Sequence, residues 1–233
     1  MFIGDCPKNE DGQRELNLTY KIMKKELVIS AFNRDYESEF SNVDKDVKFT
    51  VYRKGDIENL REMEIYIPNN VGRDVHTFYY HLVNRYYTLS DITFFSQDYF
   101  LDHVRNYIEI INGNVDTWNE NGTLYDDGCW FFNTGMYDKE NRTLDCDKYG
   151  FPHHNLGEDI INTWDILFDE PCPEKITFST GGHFAITREG AHKVPLEVYK
   201  KILNLLEEPG SQSPWVMERL NTYVNLRLNK FKI

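Results

Sequence analysis

Residues 64–98 read EIYIPNNVGRDVHTFYYHLVNRYYTLSDITFFSQD, and they decide the fold class of this chain of 233 residues. Residues 64–67 form a short apolar run stopped by a proline, which predicts a β-strand. From Asp74 to Tyr86, apolar residues recur every three or four positions, which predicts a helix with one buried face. Residues 92–95 are apolar or β-branched throughout, which predicts a strand buried on both faces. A strand, a helix and a second buried strand in succession favour an α/β protein.

The same alternation continues on both sides of this stretch. Residues 26–32 and 47–52 predict two earlier strands, and residues 176–187 predict a strand pair or one bent strand. A second helix is predicted after residue 98, with Leu101, Val104, Ile108 and Ile111 on one face. Three further helices are predicted over residues 158–168, 195–207 and 213–227. Strands that alternate with helices in this way predict a doubly wound, mainly parallel but mixed sheet with helices on both faces.

The domain organisation predicted from the sequence is simple. Residues 1–25 are polar with little periodicity and predict an N-terminal extension, and residues 26–233 predict a single α/β domain. Within that domain, residues 112–157 combine Gly, Asn and Asp with many aromatic residues and show no clear periodicity. A stretch of this length predicts a functional loop. Its rings can stack on sugars, can fold over the sheet as a small additional core, or can do both.

Composition and charge limit the classes of partner. Hydrophobic residues are 40%, charged residues are 27%, and the formal net charge is −12. This balance is globular and argues against nucleic acid as a partner, because a protein that binds phosphate backbones needs excess positive charge. The mean hydropathy is −0.60 and no long apolar run occurs, so no membrane span is predicted. The four cysteines form no CxxC pair and no export signal is apparent, so free thiols and a cytoplasmic location are expected.

Polar residues that follow the predicted strands are the first candidates for a site. Ligands of open α/β sheets bind beyond the carboxyl ends of the strands. Asp98 follows the most apolar strand, where it can hold a divalent cation or instead cap the next helix. Asn33, Arg34 and Asp35 follow the first strand, where they can contact a nucleotide base or ribose or simply form a turn.

Charged residues at predicted helix starts are the second group. Arg73 and Asp74 open the first long helix, where backbone N–H groups and an arginine suit an anion, although Asp74 can equally be a cap. Glu218 is placed to be a general base if its helix points into the site, or to complement the helix dipole. Glu158 and Asp159 offer the same alternatives at another helix start.

His183 follows a double glycine at the predicted strand bend. It can be a metal ligand or a hydrogen-bond donor to a substrate. Glycine-rich phosphate loops of the GxGxxG and GxxxxGK[ST] types are absent, as is the GxSxG elbow of serine hydrolases. Dinucleotide sites, P-loops and serine-triad chemistry are therefore not predicted.

The order of several segments is similar to that of a known family. ELVISAFNRD, HTFYYHL, ITFFSQD, GGHFAITRE, PLEVYKKIL and SPWVMERL resemble segments of a family found in fungi, bacteria and large DNA viruses. That family in turn resembles the GT-A glycosyltransferases, which bind nucleotide-diphosphate sugars on a doubly wound sheet. The resemblance covers residues from about 26 to 228. It implies a GT-A-like fold and hexosyl or pentosyl transfer from a UDP- or GDP-sugar to a carbohydrate or glycoprotein acceptor.

The resemblance also implies roles for particular residues. The Asp-x-Asp that holds Mn²⁺ or Mg²⁺ in this family corresponds to Ser96-Gln97-Asp98, where only the last acid is present. Glu218 falls near the carboxylate that activates the acceptor, with Glu158 or Asp159 as alternatives. The metal would be held by Asp98 and His183. The residues implied in donor binding are Asn33, Arg34, Asp35, Arg73, Asp74, Gln97, Asp98, Gly182 and His183.

Two other functions stay open at this point. The incomplete Asp-x-Asp favours a GT-A-like scaffold that binds a sugar or a partner but has lost turnover. A metal-dependent hydrolase could use Asp98, Asp102, His103 and His183, although their spacing matches no common metal motif.

Overall fold

The computed structural model describes residues 23–32, 34–55, 60–68, 70–125, 128–132, 142–145, 157–178, 182–208, 212–226 and 231–232. The strands are β1 (Lys25–Phe32), β2 (Lys48–Lys54), β3 (Glu64–Tyr66), β4 (Ile92–Gln97), β5 (Gly122–Tyr125), β6 (Cys129–Phe132), β7 (Arg142–Asp145), β8 (Lys175–Phe178) and β9 (Phe184–Thr187). The α-helices are α1 (Tyr36–Glu39), α2 (Arg73–Arg85), α3 (Tyr107–Asn112), α4 (Val115–Asn121), α5 (Gly157–Leu167), α6 (Arg188–Lys193), α7 (Leu196–Glu207) and α8 (Ser213–Leu226).

Seven strands form one mixed sheet in the order β3-β2-β1-β4-β9-β6-β5. β3, β2, β1 and β4 are mutually parallel, whereas β9, β6 and β5 each pair antiparallel with the strand before them in this order. The chain runs outward from β1 to β3 and then returns through α2 to place β4 beside β1. The strand order therefore reverses between β1 and β4, which is where open α/β sheets bind ligands. The predicted α/β class, with a mostly parallel centre of a mixed sheet, is confirmed, and the architecture is Rossmann-like.

Helices cover both faces of the sheet, because side chains along each strand point alternately to one face and the other. α2, α5, α6, α7 and α8 contribute to a core on one face that includes Val28 and Phe95. α1, α3 and α4 contribute to a core on the opposite face that includes Leu27, Ile29 and Phe94. This double cover explains why β1 and β4 are apolar on both sides.

The apolar spacing predicted for the first long helix is confirmed. α2 buries Val75, Phe78, Tyr79 and Leu82 along one stripe, which packs on the sheet. Its first turn lies beyond the end of β3, so its amino end points to the carboxyl edge of the sheet. Neither α2 nor any other helix in the described part of the chain is long and apolar enough to cross a bilayer.

The predicted start of the helix after β4 is wrong. Residues 98–106 form turns, and α3 begins only at Tyr107. Leu101, placed by prediction on the buried face, is exposed, whereas Val104 is buried. Consecutive turns can bury side chains three or four positions apart, as a helix does: His103 N and Val104 N both donate to the carbonyl of Phe100. Apolar spacing alone cannot separate the two.

The segment 112–157, predicted as a long aromatic loop, contains α4, β5, β6 and β7 among its described residues. Trp118, Trp130, Phe131 and Phe132 are all buried in the two cores. These four rings therefore belong to the interior and offer no face to a sugar. The strand β6 was not predicted from the sequence, because it is apolar on both faces and shows no alternation.

Residues 176–187, predicted as a strand pair or one bent strand, contribute to two separate sheets. β8 pairs antiparallel with β7 in a two-stranded sheet, whereas β9 lies between β4 and β6 in the main sheet. The predicted pairing of the two runs is therefore wrong. The start of β9 lies at the carboxyl ends of the parallel strands, because β9 runs antiparallel to β4 and Phe184 pairs with Phe95.

Candidate functional site

A cleft of about 200 Å³ opens at the carboxyl ends of the parallel strands. Its walls are the first turn of α2, the last residue of β4, the turn that follows β4 and the first turns of α8. The polar and aromatic side chains that line it are Arg73, Asp74, Gln97, His103, Trp215 and Glu218. The structure thus brings together sequence-predicted residues from three separate segments of the chain.

The backbone at the start of α2 adopts an unusual conformation. Gly72 and Arg73 have φ angles of 67° and 53°. A Cβ at position 72 would lie 2.6 Å from the Cβ of His76 and 2.9 Å from the carbonyl oxygen of Leu206, so only glycine fits. Arg73 carries a Cβ in the same left-handed region, which is strained for such a residue. Strain of this kind persists only where the surrounding structure holds it, and it is typical of functional sites.

Lys54, the last residue of β2, lies directly behind this turn. Its Nζ donates to the carbonyl oxygens of Val71, at 3.0 Å, and of Arg73, and it lies 3.3 Å from Nδ1 of His76. The side chain is 1% exposed. Burial lowers the pKa of Lys54 to about 8, and the charge of Asp74 acts in the opposite direction. Lys54 therefore carries its charge at neutral pH, inside the protein and close to the cleft.

The side chain of Arg73 lies against α8. Its guanidinium carbon is 5.4 Å from the ring centre of Trp215, which is cation–π geometry. Arg73 and Trp215 both line the cleft, beside Asp74 and Val75 in the first turn of α2. Cation and helix start together form an environment that favours an anion.

The floor of the cleft is built by contacts between β4, α2 and the turn before β9. Gln97 Nε2 donates to Asp74 Oδ2 at 2.7 Å. A Cβ at Gly182, whose φ is +65°, would lie 3.6 Å from the same oxygen. Asp74 does not cap α2, since the N-cap residue is Gly72. The cap alternative for Asp74 is therefore wrong, and its carboxylate faces the cleft instead.

Glu218 enters the cleft from the second turn of α8. Arg219 Nη1 donates to Glu218 Oε2 at 2.9 Å and to the carbonyl oxygen of Trp215 at 2.8 Å. The Arg219 side chain is itself buried, with its guanidinium over the ring of Phe178. Glu218 is thus held as an oriented carboxylate whose partner comes from the same helix.

The two histidines near the cleft occupy different layers. His103 lines it. His183 does not: it is 1% exposed, and its ring packs 5.6 Å from that of His103 and 5.3 Å from that of Tyr107. The backbone carbonyl of His183 accepts from Phe132 N, which fixes the turn. His183 therefore supports His103 from behind.

Asp98 stands at the reversal point of the sheet. Its Oδ2 accepts from the backbone N–H of Phe32 at 2.7 Å, and its own N–H donates to the carbonyl of Ser30. These contacts join the ends of β1 and β4. No helix starts after Asp98, so its cap alternative is wrong. Burial raises the pKa of this carboxyl, while the Phe32 N–H and the charges of Arg34 and Arg53 lower it.

The residues after β1 are used partly for structure. Asp35 caps α1 by accepting from Glu37 N, and it pairs with Arg61 at 3.3 Å. This geometry agrees with the turn alternative for Asp35. Arg34 is exposed, and its guanidinium lies 4.9 Å from the ring centre of Tyr99, so both can face a ligand. Asn33 lies outside the described residues.

The acids predicted at the start of α5 are not part of the cleft lining. Asp159 is exposed on the first turn of that helix. The side chain of Glu158 lies outside the described residues. Of the three candidate bases, Glu218 is the one that the described structure places in the cleft.

The described residues do not by themselves build a metal centre. Divalent Mg²⁺ and Mn²⁺ take about six ligands, mainly oxygen. No group of three or more His, Cys, Asp or Glu side chains is gathered around one point in the described ranges. Asp98 offers one carboxylate, already bonded to Phe32 N, and His183 is enclosed between other rings. This donor set also gives no support to a metal-dependent hydrolase.

Sequence reasoning missed Lys54, Trp215 and the cleft position of His103. Lys54 had a usable signal, because alternation along β2 puts it on the same face as the buried Tyr52. Trp215 also had one, as an aromatic residue in the first turn of an otherwise amphipathic helix. His103 had none, since it lies in turns that were predicted as helix.

Comparison with known proteins adds no family. The sequence matches no model of a protein family, and no curated protein shows similarity to it.

Proposed function

We propose that this protein binds a nucleotide-diphosphate sugar at the carboxyl edge of its sheet and transfers the sugar to an acceptor hydroxyl. The observation that carries the proposal is the composition of the cleft at this edge. It combines a cation and a helix start with two carboxylates, an amide and an indole ring. The GT-A-like identity of the fold belongs to the same proposal, supported by the reversal of strand order beside the cleft.

The cleft suits a sugar ring better than a whole nucleotide. Pockets that enclose a drug-sized ligand measure roughly 300–1,000 Å³, and this one measures about 200 Å³. Asp74 and Gln97 offer oxygen and nitrogen atoms to hydroxyl groups. Trp215 offers an apolar surface, which suits the C–H face of a pyranose. The nucleoside then extends towards Arg34 and Tyr99, beyond β1 and β4.

Arg73 and the start of α2 serve the departing diphosphate in this proposal. As the bond between the anomeric carbon and the diphosphate oxygen breaks, the leaving group takes the electron pair and gains negative charge. A guanidinium and oriented N–H groups stabilise that charge without reorganising. They do so without requiring a metal centre built by the protein.

Glu218 serves the acceptor. The acceptor oxygen attacks the anomeric carbon while its proton passes to the Glu218 carboxylate. Arg219 orients that carboxylate by donating a hydrogen bond to its Oε2. Help of this kind is typically worth about 10²–10⁴-fold in rate.

In this proposal Mn²⁺ or Mg²⁺ would bind together with the nucleotide-sugar donor, and not at a metal centre built by the protein. Asp98 is one described carboxylate that could contact such an ion, and most of the ion's other ligands would have to be diphosphate oxygens and waters. No step proposed above depends on it.

A binding protein without turnover is the second candidate. The observation that favours it is the segment Ser96-Gln97-Asp98, in which Ser96 stands at the first acid of Asp-x-Asp and its hydroxyl donates to the carbonyl oxygen of Gln97 at 2.8 Å. The same cleft would then hold a sugar or nucleotide without catalysis.

The test is binding, followed by turnover. Melting temperature and calorimetric affinity are measured with UDP, GDP and a panel of UDP- and GDP-sugars, each with Mn²⁺ and with a chelator. A ligand at a hundred times its Kd stabilises the native state by about 2.7 kcal/mol. Release of UDP or GDP from a bound sugar nucleotide then reports turnover. If none of these compounds raises the melting temperature in either condition, the proposed function is wrong.

Two variants locate the site. Arg73→Gln should weaken nucleotide binding about tenfold, about 1.4 kcal/mol, whereas Arg85→Gln at the other end of α2 should not. Glu218→Gln should lower turnover by about 10²-fold or more with nearly unchanged affinity, whereas Glu197→Gln on α7 should leave both unchanged. Binding with no turnover in the unmodified protein would favour the second candidate.

A further inference from the structure

The backbone of Arg73 needs a cause for its left-handed conformation. Its φ of 53° is the one positive value found at a non-glycine residue in the described part of the chain. Nothing in the Arg73 side chain itself favours that region. The conformation nevertheless turns the guanidinium towards α8, where it lies over Trp215. Whatever holds the backbone at this point also sets the position of the guanidinium in the cleft.

Lys54 meets the requirements for this role. A protonated amine has three N–H donors. Around Nζ of Lys54 stand three acceptors: the carbonyl oxygens of Val71 and Arg73 and Nδ1 of His76. Two belong to the strained turn, and the third belongs to the first turns of α2. Each donor therefore has an acceptor, and the acceptors lie on both sides of the residue whose backbone is strained.

The neighbouring histidine is oriented to complete this arrangement. His76 Nε2 lies 3.2 Å from Glu207 Oε1 on α7. Because the carboxylate can only accept, Nε2 carries the proton, and Nδ1 is left to accept from Lys54. Glu207 thus sets the tautomer of His76 that Lys54 requires.

We propose that Lys54 is a positioning residue that holds the turn before α2 and thereby keeps the guanidinium of Arg73 over Trp215 at the mouth of the cleft. It acts through Arg73 and does not contact the ligand. The inference rests on the proposed function only in taking Arg73 as a ligand-binding residue.

Lys25 provides a matched control at the opposite edge of the sheet. Its Nζ also donates to three carbonyl oxygens, those of Ile111, Asn112 and Gly113. It lies 6.0 Å from the ring centre of Trp118, far in the fold from the cleft. Loss of Lys25 removes the same number of hydrogen bonds without touching the turn before α2.

The first measurement needs no ligand. The chain is labelled with 5-fluorotryptophan, and its four tryptophans are assigned by substitution to phenylalanine. Lys54→Met should shift the ¹⁹F signal of Trp215 and leave that of Trp118 in place, and Lys25→Met should do the reverse. In an Arg73→Ala background, Lys54→Met should cause no further shift of the Trp215 signal. If Lys54→Met leaves the Trp215 signal unmoved in the otherwise unchanged chain, the inference is wrong.

A second pair of variants covers the case in which the methionine variant is too unstable. Lys54→Gln keeps an N–H donor group on a side chain that is one carbon shorter, and it should give a smaller shift of the same signal. Lys54→Ala leaves room for propylammonium, which replaces the missing three carbons and the ammonium. Added propylammonium should return the Trp215 signal, whereas NaCl at equal ionic strength should not. Return of the signal with NaCl would point to general charge screening and overturn the inference.

The second measurement is the affinity for UDP. Lys54→Met should weaken binding about tenfold, as Arg73→Gln does, and the double variant should bind no more weakly than Arg73→Gln alone, since coupled residues are not additive. Additive losses would overturn the inference. If UDP does not bind the unmodified protein, the proposed function fails, while the ¹⁹F signals still decide whether Lys54 positions Arg73.

Discussion

Two buried carboxylates lie at opposite ends of the central parallel strands, and their surroundings differ. Glu26, at the amino edge, is 1% exposed, and its oxygens accept from Lys48 Nζ, Thr50 Oγ1 and Ser90 Oγ. Asp98, at the carboxyl edge, is 9% exposed and accepts from the backbone of Phe32.

The consequence appears in the direction of each pKa. Burial opposes ionisation of both groups. At Glu26 the hydrogen bonds outweigh burial and the pKa is lowered, whereas at Asp98 burial dominates and the pKa is raised. A carboxylate that is fully hydrogen-bonded stabilises the fold. One that is buried with fewer donors costs stability and is typical of binding sites. The comparison therefore indicates a structural role for Glu26 at the amino ends of the parallel strands, and it agrees with the ligand site proposed at their carboxyl ends.

The largest expected effect is at Glu26. Glu26→Gln replaces an ionised acceptor by a neutral amide among three donors, so the free energy of unfolding should fall by about 3 kcal/mol. Urea denaturation at pH 7 measures it. A loss under about 0.5 kcal/mol, the size typical of surface substitutions, would contradict the structural role of Glu26.

The next effect is a loss of stability in acid, caused by the histidine beside Glu26. Burial lowers the pKa of His81 from 6.5 to about 4, and its Nε2 lies 4.0 Å from Glu26 Oε1. The unfolded chain binds this proton first as the pH falls. The contribution is therefore fully present above pH 6.5 and is lost towards pH 4, with a slope of up to about 1.4 kcal/mol per pH unit.

Urea denaturation at several pH values measures this slope. His81→Gln should flatten it between pH 6.5 and 4. Ring-proton NMR of His81 in the unmodified protein should show the neutral form at pH 5.5. A ring already protonated there would contradict the prediction.

A smaller effect of opposite sign is expected at Asp98. Because burial raises the pKa of Asp98 in the folded protein, keeping this carboxyl ionised at neutral pH lowers the free energy of unfolding. A neutral residue at this position avoids that loss. Asp98→Asn keeps an oxygen for the Phe32 N–H and should raise the free energy of unfolding by about 1 kcal/mol. It should also weaken nucleotide binding chiefly when Mn²⁺ is present. A destabilisation as large as that of Glu26→Gln would erase the contrast, and equal weakening in chelator would count against contact with a metal.

The smallest expected effect is at Arg34, whose charge acts on Asp98. Arg34 lowers the pKa of Asp98 by its charge and stacks on Tyr99 at the surface. Arg34→Gln should cost about 0.5 kcal/mol, as exposed cation–π pairs do, and should raise the pKa of Asp98 further. Carbon-detected NMR of the Asp98 carboxyl follows that shift. An unchanged titration would mean that Arg34 does not act on Asp98.

Much of the fold was predictable because its signals are local. Apolar spacing marked α2 and α7, short apolar runs marked β1 and β4, and alternation marked β2, since each pattern reflects burial of one face or both. The start signal at Ser213 and Pro214 marked α8. Failures occurred where burial gave no periodicity, as in β6, or where turns imitated it, as around Val104. The lining of the cleft was predictable at Arg73, Asp74 and Gln97, because strand ends and helix starts gather at the carboxyl ends of the parallel strands.

What the sequence by itself determined was the class of fold and the edge at which polar residues meet. Only the tertiary structure decided which of those residues share a cleft. α8 brings Trp215 and Glu218 to Arg73 from a distant part of the chain, while Asp35 and Asp159 are left outside. The physical reason is that periodicity records whether a side chain is buried, whereas its partner across the fold depends on packing between segments that leave no mark on each other's sequence.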